Sequence, residues 1–455
     1  MLKDQSSNSE DTICALATAP GGALGIIRIS GSQAFSAVSA LCSVCCNSVA
    51  PNTIHYTHIT DGANIIDEAM VSIFRAPHSY TGEDCVEISC HGSRYILNKV
   101  LELLIQHGCR MANPGEYTQR AYLNGKIDLS QAEAVADLIA SSNKATHQMA
   151  ISQLRGGISS QLTILREQLL KMTSLLELEL DFSDHEDLEF ADRSELNHLA
   201  KTIDSHITQL AHSFETGQAL KQGIPVAIVG KTNVGKSTLL NRLLKDERAI
   251  VSDIHGTTRD TIEDTIDIKG VTFRFIDTAG IRQTTDEVEK IGIQRTRQAI
   301  QKARIILWLI DKKPSDEEIN KITQQSKNKK VIIVYNKSDL RNSQDFSIAD
   351  FPLISISAKH GTNIGALEAA IYDIADIPTL TESSVIITSA RHYDVLQRAH
   401  DSIFRVINGL HDNLSGDLLS EDLRQTLGIL SEITGGQITP NEVLGNIFKH
   451  FCVGK

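Results

Sequence analysis

A chain of 455 residues is longer than one hydrophobic core ordinarily serves, so two to four domains are expected. Its content of 41% hydrophobic and 22% charged residues is that of a soluble globular protein, and the opening MLKDQSSNSEDT has no apolar stretch that would direct secretion. A net charge of −12 excludes a protein that coats nucleic acid by bulk electrostatics, since phosphate binding rests on Lys and Arg, so any RNA contact is local or carried by a partner.

Up to about Asn124 short apolar runs alternate with Gly and Pro, as in GALGIIRISG, DEAMVSIFRAP and CVEISCHGS, which predicts mixed strands and helices in an α/β domain. Within it, Cys42, Cys45 and Cys46 lack the second ligand pair zinc would require and are expected as buried small hydrophobes. No segment is long and apolar enough to span a membrane, and eight dilute cysteines suit free thiols in a reducing, cytoplasmic setting.

From about Leu129 the period lengthens. Leu162, Leu165, Leu169, Met172 and Leu176 fall at helical spacing on one face, predicting a long amphipathic helix, and the acidic DFSDHEDLEF from Asp181 is expected as a solvated turn. Between Ile224 and about Ile377 the apolar runs PVAIVG, FRFIDTAG, RIILWLID, KVIIVYNK and PLISISAK alternate with helical or polar segments, the pattern of a doubly wound, largely parallel sheet. Helix returns after Val385, where Leu419, Leu423, Leu427 and Leu430 share a face and Gly435-Gly436 supply a stop. The expected fold class is multidomain α/β plus α: an N-terminal α/β domain (1–125), a discontinuous helical domain (126–221 and 378–455) and an α/β unit inserted between its halves (222–377), because each helical half alone leaves an apolar stripe to bury.

The inserted unit carries the chemistry. GKTNVGKST places Gly230, Gly235, Lys236 and Ser237 in the spacing of a phosphate-binding loop, after a strand and before a helix. Backbone N–H groups of Asn233, Val234, Gly235, Lys236, Ser237 and Thr238 would close on phosphate oxygens, Lys236 would neutralise the terminal phosphates, and the Ser237 hydroxyl can hold Mg²⁺. DTAG (Asp277, Thr278, Ala279, Gly280) ends a strand where a carboxylate reaches the magnesium shell and a glycine amide meets the γ-phosphate. Asn336, Lys337 and Asp339 of NKSD end another strand. A carboxylate there accepts from guanine N1–H and its 2-amino group, which adenine cannot supply, so GTP is preferred. Ser357, Ala358 and Lys359 resemble the loop that offers an amide to the guanine oxygen, and Thr258, in GTTRD between the phosphate loop and DTAG, is assigned to Mg²⁺.

The hydrolytic machinery is less plain. Ile281 occupies the place after DTAG where Ras-like GTPases carry a water-orienting glutamine, and no arginine finger is identifiable. Glu289 is the nearest downstream carboxylate of interest, with an exposed helix N-terminal acid as its plain alternative. Asn233 is either a monovalent-cation ligand standing in for the finger or a turn residue.

Taken together, APGGALGIIRISG, SYTGEDCVEISCHG, NPGEYTQRAYLNGKIDLSQAEAVADLI, the phosphate loop with Asn233, GTTRD, DTAG, DEVEKIGI, NKSD, SAK, SARH and the terminal FCVGK resemble the bacterial MnmE (TrmE) family of tRNA-modification GTPases over essentially the whole chain. The resemblance implies a folate-binding N-terminal domain that dimerises, a discontinuous helical domain and an inserted Ras-like G domain. It implies a homodimer acting with an FAD-dependent partner, MnmG (GidA), in a heterotetramer or larger complex; the FAD sits on that partner. It further implies addition of an aminomethyl-type group to the 5-position of wobble uridine in certain tRNAs, with the one-carbon unit taken from a methylene- or formyl-tetrahydrofolate. Carried over by motif, K⁺ falls to Asn233, Ser252, Ile254 and Thr257 within the loop that also includes Asp253, His255 and Gly256; Mg²⁺ falls to Ser237 and Thr258; and Glu289 orients the water, with Asn233 and Lys236 completing the catalytic set. Folate contacts fall on Arg28, Glu87, Lys126 and Lys455.

The tail Cys452-Val453-Gly454-Lys455 stands where a prenylation box would, but Gly454 and Lys455 are the wrong residues for one. By the resemblance it folds back toward the folate pocket, with Cys452 either a reactive thiol or a packing residue. The rival reading is a regulatory GTPase of ribosome assembly, whose flanks would carry an RNA-binding module that neither flank here resembles. A stand-alone folate-dependent transferase would leave the GTP motifs idle.

Overall fold

Strands form where the sequence is β-branched and alternates or runs apolar, and helices where the period is near 3.6. The computed structural model describes residues 11–181, 193–245, 264–276, 297–327, 329–340, 348, 351–379, 381, 384–436, 448, 451 and 454. The chain divides into two compact units: Met1–Ala140 with Gln153–Ala200 and Arg405–Lys455, and Ser141–Ser152 with Lys201–Phe404.

The first unit is built on a six-stranded sheet. Its strands are β1 (Ile13–Leu16), β2 (Leu24–Ser30), β3 (Thr53–Asp61), β4 (Asn64–Phe74), β5 (Cys85–His91) and β6 (Arg110–Met111), in the order β3-β4-β5-β2-β1-β6. Only the β1–β6 pair is parallel. Alternation decides the faces: Ile27, Ile29, Val71, Ile73, Val86 and Ile88 point into one core, closed by helices α1 (Ala34–Ser39) and α2 (Arg94–Gln106). Next come α3 (Glu116–Leu123), α4 (Leu129–Ala140) and α6 (Gly157–Asp181); between the last two in the chain, α5 (Lys144–Leu154) falls to the second unit up to Ser152. The predicted stripe on α6 is buried at all five positions, from Leu162 at 8% exposure to Leu176 at 0%. Of the three clustered cysteines only Cys46 is buried; Cys42 is half-buried and Cys45 exposed, because they sit in the irregular segment after α1 rather than within a strand. The acidic stretch from Phe182 lies outside the described residues.

The second unit holds β7 (Ile224–Val229), α8 (Lys236–Lys245), β8 (Asp264–Ile268), β9 (Val271–Phe275), β10 (Ile305–Ile310), α9 (Asp316–Gln325), β11 (Lys330–Tyr335), β12 (Leu353–Ser355) and α10 (Ile364–Ile374). Its sheet runs β12-β11-β10-β7-β9-β8, parallel throughout except for the antiparallel edge strand β8. β10, IILWLI, is buried at every position: Ile305, Leu307 and Leu309 serve the core on one face while Ile306, Trp308 and Ile310 serve the other. Two-sided burial is what a central parallel strand requires. The α7 helix (Arg193–Gln222) and α11 (Ala390–His411) each contribute residues to both units.

Helix α12 (Gly416–Thr434) belongs to the first unit and packs against α6. It ends at Gly435, whose φ of 80° is the left-handed turn that glycine adopts without strain. Leu419, Leu423 and Leu430 are buried as expected, but Leu427 is half-buried and Thr426 takes the inward place. Thr426 can do so because its hydroxyl donates to Asp422 O at 2.8 Å.

Candidate nucleotide site

Strand β7 ends at Val229, and Gly230 to Gly235 carry the chain into the N-terminus of α8. The loop is tight enough to demand its glycines. A Cβ on Gly235 would sit 2.3 Å from Asn336 Nδ2, and one on Gly230 would sit 2.4 Å from Leu309 O. Asn233, at φ 63°, makes the left-handed turn between them. Lys236 Nζ donates back to Gly230 O at 2.8 Å and Lys231 O at 2.7 Å, so the ammonium lies over the loop, where burial lowers its pKa. Ser237 follows it in the first turn of α8, and Thr238 is exposed beside it.

Two strand tips close on this loop. Asn336, 3% exposed after β11, donates through Nδ2 to Val234 O at 2.7 Å and accepts the Ala358 amide on Oδ1 at 3.0 Å. One side chain thus ties the phosphate loop to the SAK loop. Lys337 Nζ reaches Asn233 O at 3.0 Å and Asp311 Oδ2 at 2.8 Å. Asp339 Oδ1 accepts from the Ser357 hydroxyl at 2.6 Å and its Oδ2 lies 3.5 Å from His360 Nε2. The Ser357 hydrogen bond is the main reason its carboxyl is held below the usual carboxylate range, with His360 and Lys359 adding positive charge. The Lys359 carbonyl accepts from Arg242 at 3.0 Å. Two partners had no sequence signal: Glu318, which pairs with Lys231 of the loop, and His360. Glu318 is fixed in turn by a capping box with Ser315 at the start of α9. The loop from Ser252 to Thr258, with Asp253, Ile254, His255, Gly256 and Thr257, lies outside the described residues, as do Asp277, Thr278, Ala279, Gly280 and Glu289.

A second polar cluster lies in the first unit. Arg28 and Glu87 face each other across β2 and β5, with Arg28 Nε and Nη2 both 2.8 Å from Glu87 Oε1. Arg28 Nη1 also donates to Gly454 O at 3.3 Å, and its guanidinium lies 5.5 Å and 5.7 Å from the ring centroids of Tyr80 and Tyr117. Tyr117 Oη donates to Arg28 O at 2.6 Å. Burial raises both phenol pKa values, that of Tyr117 far above the ordinary one, so both remain hydrogen-bond donors at neutral pH. Lys126 Nζ donates to Pro77 O at 2.9 Å, and its stem runs 3.2 Å from where a Cβ on Gly82 would be. Gly454 passes so close to Leu16 O that a Cβ there would approach to 2.4 Å, and upstream Phe448 and Phe451 pack with Leu129 and Ala132. The tyrosines and the Gly454 carbonyl were not foreseen from sequence. Cys452 and Lys455 lie outside the described residues.

A glycine-tight loop between β7 and α8, in a doubly wound parallel sheet whose neighbouring strand tips carry Asn336 and Asp339, defines a P-loop nucleotide-binding domain of the GTPase class. Residues 12–126 match the family model described as GTP-binding protein TrmE N-terminus, and residues 129–452 match the MnmE helical domain. The tRNA modification GTPase MnmE of Bacteroides thetaiotaomicron is 53% identical over 98% of this chain and 100% of its own length. That of Flavobacterium johnsoniae is 48% identical over 98% and 100%. The chain belongs to the MnmE (TrmE) family of tRNA modification GTPases. A solved G domain of the T. maritima FeoB iron transporter is 22% identical over 34% of this chain and 99% of that one, with a TM-score of 0.27 that supports no further inference.

Proposed function

We propose that this chain hydrolyses GTP to drive modification of the 5-position of wobble uridine in certain tRNAs, adding an aminomethyl or carboxymethylaminomethyl group. It acts as a cytoplasmic homodimer with an FAD-dependent MnmG partner. The division proposed is an N-terminal domain over 1–125, a helical domain over 126–221 and 378–455, and a G domain over 222–377. Full-length family membership is the observation that carries this reading, because it joins the nucleotide loop and the Arg28 cluster in one protein.

At the nucleotide site the loop amides and Lys236 cradle the phosphates, and the Asp339 carboxylate takes guanine N1–H and its amino group. The positive charge of Lys236 and the first-turn hydroxyl of Ser237 suit a magnesium nucleotide. Ser237 and Thr258 would hold Mg²⁺, while Asn233, Ser252, Ile254 and Thr257 would hold K⁺. When bound, the two ions would supply positive charge at the phosphates, the role an arginine finger plays in other GTPases. Glu289 orients the attacking water.

In the first unit, Arg28, Glu87, Lys126 and Lys455 bind a tetrahydrofolate, which supplies the one-carbon unit. The donor set suits that ligand: a carboxylate for a pterin amino-pyrimidine edge, cations for the glutamate end and two aromatic faces beside them.

The test is mass spectrometry of nucleosides in tRNA from cells lacking the protein, complemented by wild type or by Asp277→Ala. Loss of the 5-substituted uridine, restored by wild type alone, is expected. Intact modification with a ribosome-assembly defect would sink the reading in favour of a regulatory GTPase.

A further inference from the structure

Asp339 is the carboxylate that reads guanine in the function proposed above, and the present inference rests on that reading. Both of its oxygens have protein partners. The Ser357 hydroxyl donates to Oδ1 at 2.6 Å, while His360 Nε2 lies 3.5 Å from Oδ2, within ion-pairing range. The two partners differ in kind. A hydroxyl is neutral at every relevant pH, and a carboxylate oxygen has room for a second donor, so Ser357 can stay in place while a base arrives. An imidazole is neutral or cationic according to pH, and in its cationic form it is a charged donor aimed at the oxygen that the base must also use.

The surroundings sharpen that choice. The Asp339 side chain is 25% exposed and that of His360 is 55% exposed, so the pair lies at the mouth of the site rather than in its floor. His360 stands three residues after Ser357 on a short turn, and its amide donates to Ser357 Oγ at 3.4 Å, which holds the imidazole beside the carboxylate. The charged groups facing this turn are Asp339 across the gap, Lys359 next in the chain and Arg242 from α8. The Arg242 Nη2 atom donates to Lys359 O at 3.0 Å, and its guanidinium passes 3.3 Å from a Cβ built at Gly361. Among the described residues, Asp339 is therefore the anion in this cluster available to a protonated His360.

We propose that His360 is a specificity-determining residue of the guanine site: its imidazolium binds Asp339 Oδ2 in competition with the guanine base, making guanine-nucleotide affinity fall when His360 is protonated. With His360 neutral, Asp339 is free to accept both guanine N–H groups and the nucleotide is held. With His360 charged, one acceptor is shared with a cation and nucleotide leaves faster. The effect is local to the base, so it acts on GDP and GTP alike and makes nucleotide exchange pH-dependent without altering the phosphate loop. Exposed ion pairs are worth little, which bounds the change in affinity to roughly two- to fivefold.

The test is the affinity and release rate of a fluorescent GDP analogue on the full-length protein at about pH 6 and about pH 8, for wild type, His360→Ala, His360→Lys and Asp339→Ala. Wild type is expected to bind more weakly and release faster at the lower pH. In His360→Ala the ratio between the two pH values collapses toward one at the tighter affinity. In His360→Lys, where the charge is permanent, it collapses toward one at the weaker affinity. If His360→Ala keeps the wild-type ratio while Asp339→Ala loses guanine binding, the competition by His360 is overturned and the guanine site stands. If Asp339→Ala binds like wild type, the guanine reading itself fails and the competition falls with it. Each exchanged position is solvent-facing, and circular dichroism on every variant separates loss of affinity from loss of fold.

Discussion

Asn336 Nδ2 donates to Val234 O at 2.7 Å, joining the strand tip after β11 to the phosphate loop after β7 across 102 residues of chain. The same amide group accepts the Ala358 N–H. Asn336→Ala leaves a carbonyl and an amide unpaired in a site where the residue is 3% exposed. Each such group costs about 1–3 kcal/mol. The expected result is a loss of guanine-nucleotide affinity of at least about tenfold and a lower melting temperature without nucleotide, read by calorimetry and thermal scanning. Asn336→Asp keeps the acceptor for Ala358 but sets a carboxylate against the Val234 carbonyl, so it should be no better than alanine. Wild-type affinity in either variant would remove this bridge from the account of the site.

Gly235→Ala tests the loop's steric limit. Its φ of 101° suits glycine, and the new methyl would lie 2.3 Å from Asn336 Nδ2. The substitution should push Asn336 off Val234 and weaken nucleotide binding by an amount comparable to Asn336→Ala, with the double variant little worse than either single one. Gly365→Ala is the control: nothing lies within 4 Å of the added Cβ, it sits in the first turn of α10, and a change within about 0.5 kcal/mol is expected. Full additivity of Gly235→Ala with Asn336→Ala would show that the two act independently.

These two positions also show how far the sequence could be read. Glycines, the apolar run of β10 and the α6 stripe announce themselves because spacing along the chain is what they encode. Asn336 and Asp339 were legible as strand-tip residues, yet their partners were not. That Lys337 reaches Asn233, or that Arg28 meets Gly454 from 426 residues away, depends on which loops the sheet order brings together. The substitution of Thr426 for Leu427 on the buried face of α12 was hidden for another reason. A threonine reads as polar until a backbone carbonyl one turn back takes its hydroxyl. His360 carried no signal because its contact with Asp339 is made by the fold and not by spacing along the chain.

Cys85 provides a pH test in the first unit. It is 3% exposed in β5, and burial pushes its thiol up to about 12, with Arg28 opposing the shift. An unfolded thiol ionises near 9.0, so above that pH the unfolded chain releases a proton that the folded one retains. The folded state then binds more protons, and stability falls as pH rises from about 9 toward about 12. Within that window Cys85 steepens the loss by up to about 1.4 kcal/mol per pH unit. Cys85→Ala should therefore show a shallower alkaline decline in melting temperature than wild type, whatever its stability at neutral pH. Parallel declines would mean that Cys85 ionises in the folded protein. Alkylation offers a second readout: at pH near 8, Cys45, which is exposed, should label with iodoacetamide well before Cys85.

Substitutions at Arg28 test whether the two sites act separately. It holds Glu87 at 2.8 Å, lies beside the rings of Tyr80 and Tyr117, and donates to Gly454 O. Arg28→Ala removes the cation and leaves the Glu87 carboxylate, 24% exposed, without its partner. Arg28→Lys keeps the charge but loses the planar fork that serves Glu87 and Gly454 together. If this cluster binds folate, both variants should lose most of the tRNA modification measured by nucleoside mass spectrometry, with alanine the more severe. Tetrahydrofolate affinity measured directly should fall by about tenfold or more. GTP turnover of the isolated protein should stay within about twofold of wild type, because none of these side chains belongs to the nucleotide loop. Glu87→Gln is the informative third variant. It preserves size and a hydrogen-bond acceptor for Arg28 but removes the charge that would receive a pterin amino group, so folate binding should fall while the thermal stability of the domain changes little. Normal modification in Arg28→Ala would place the one-carbon chemistry elsewhere and leave the cluster as the anchor of the C-terminal tail.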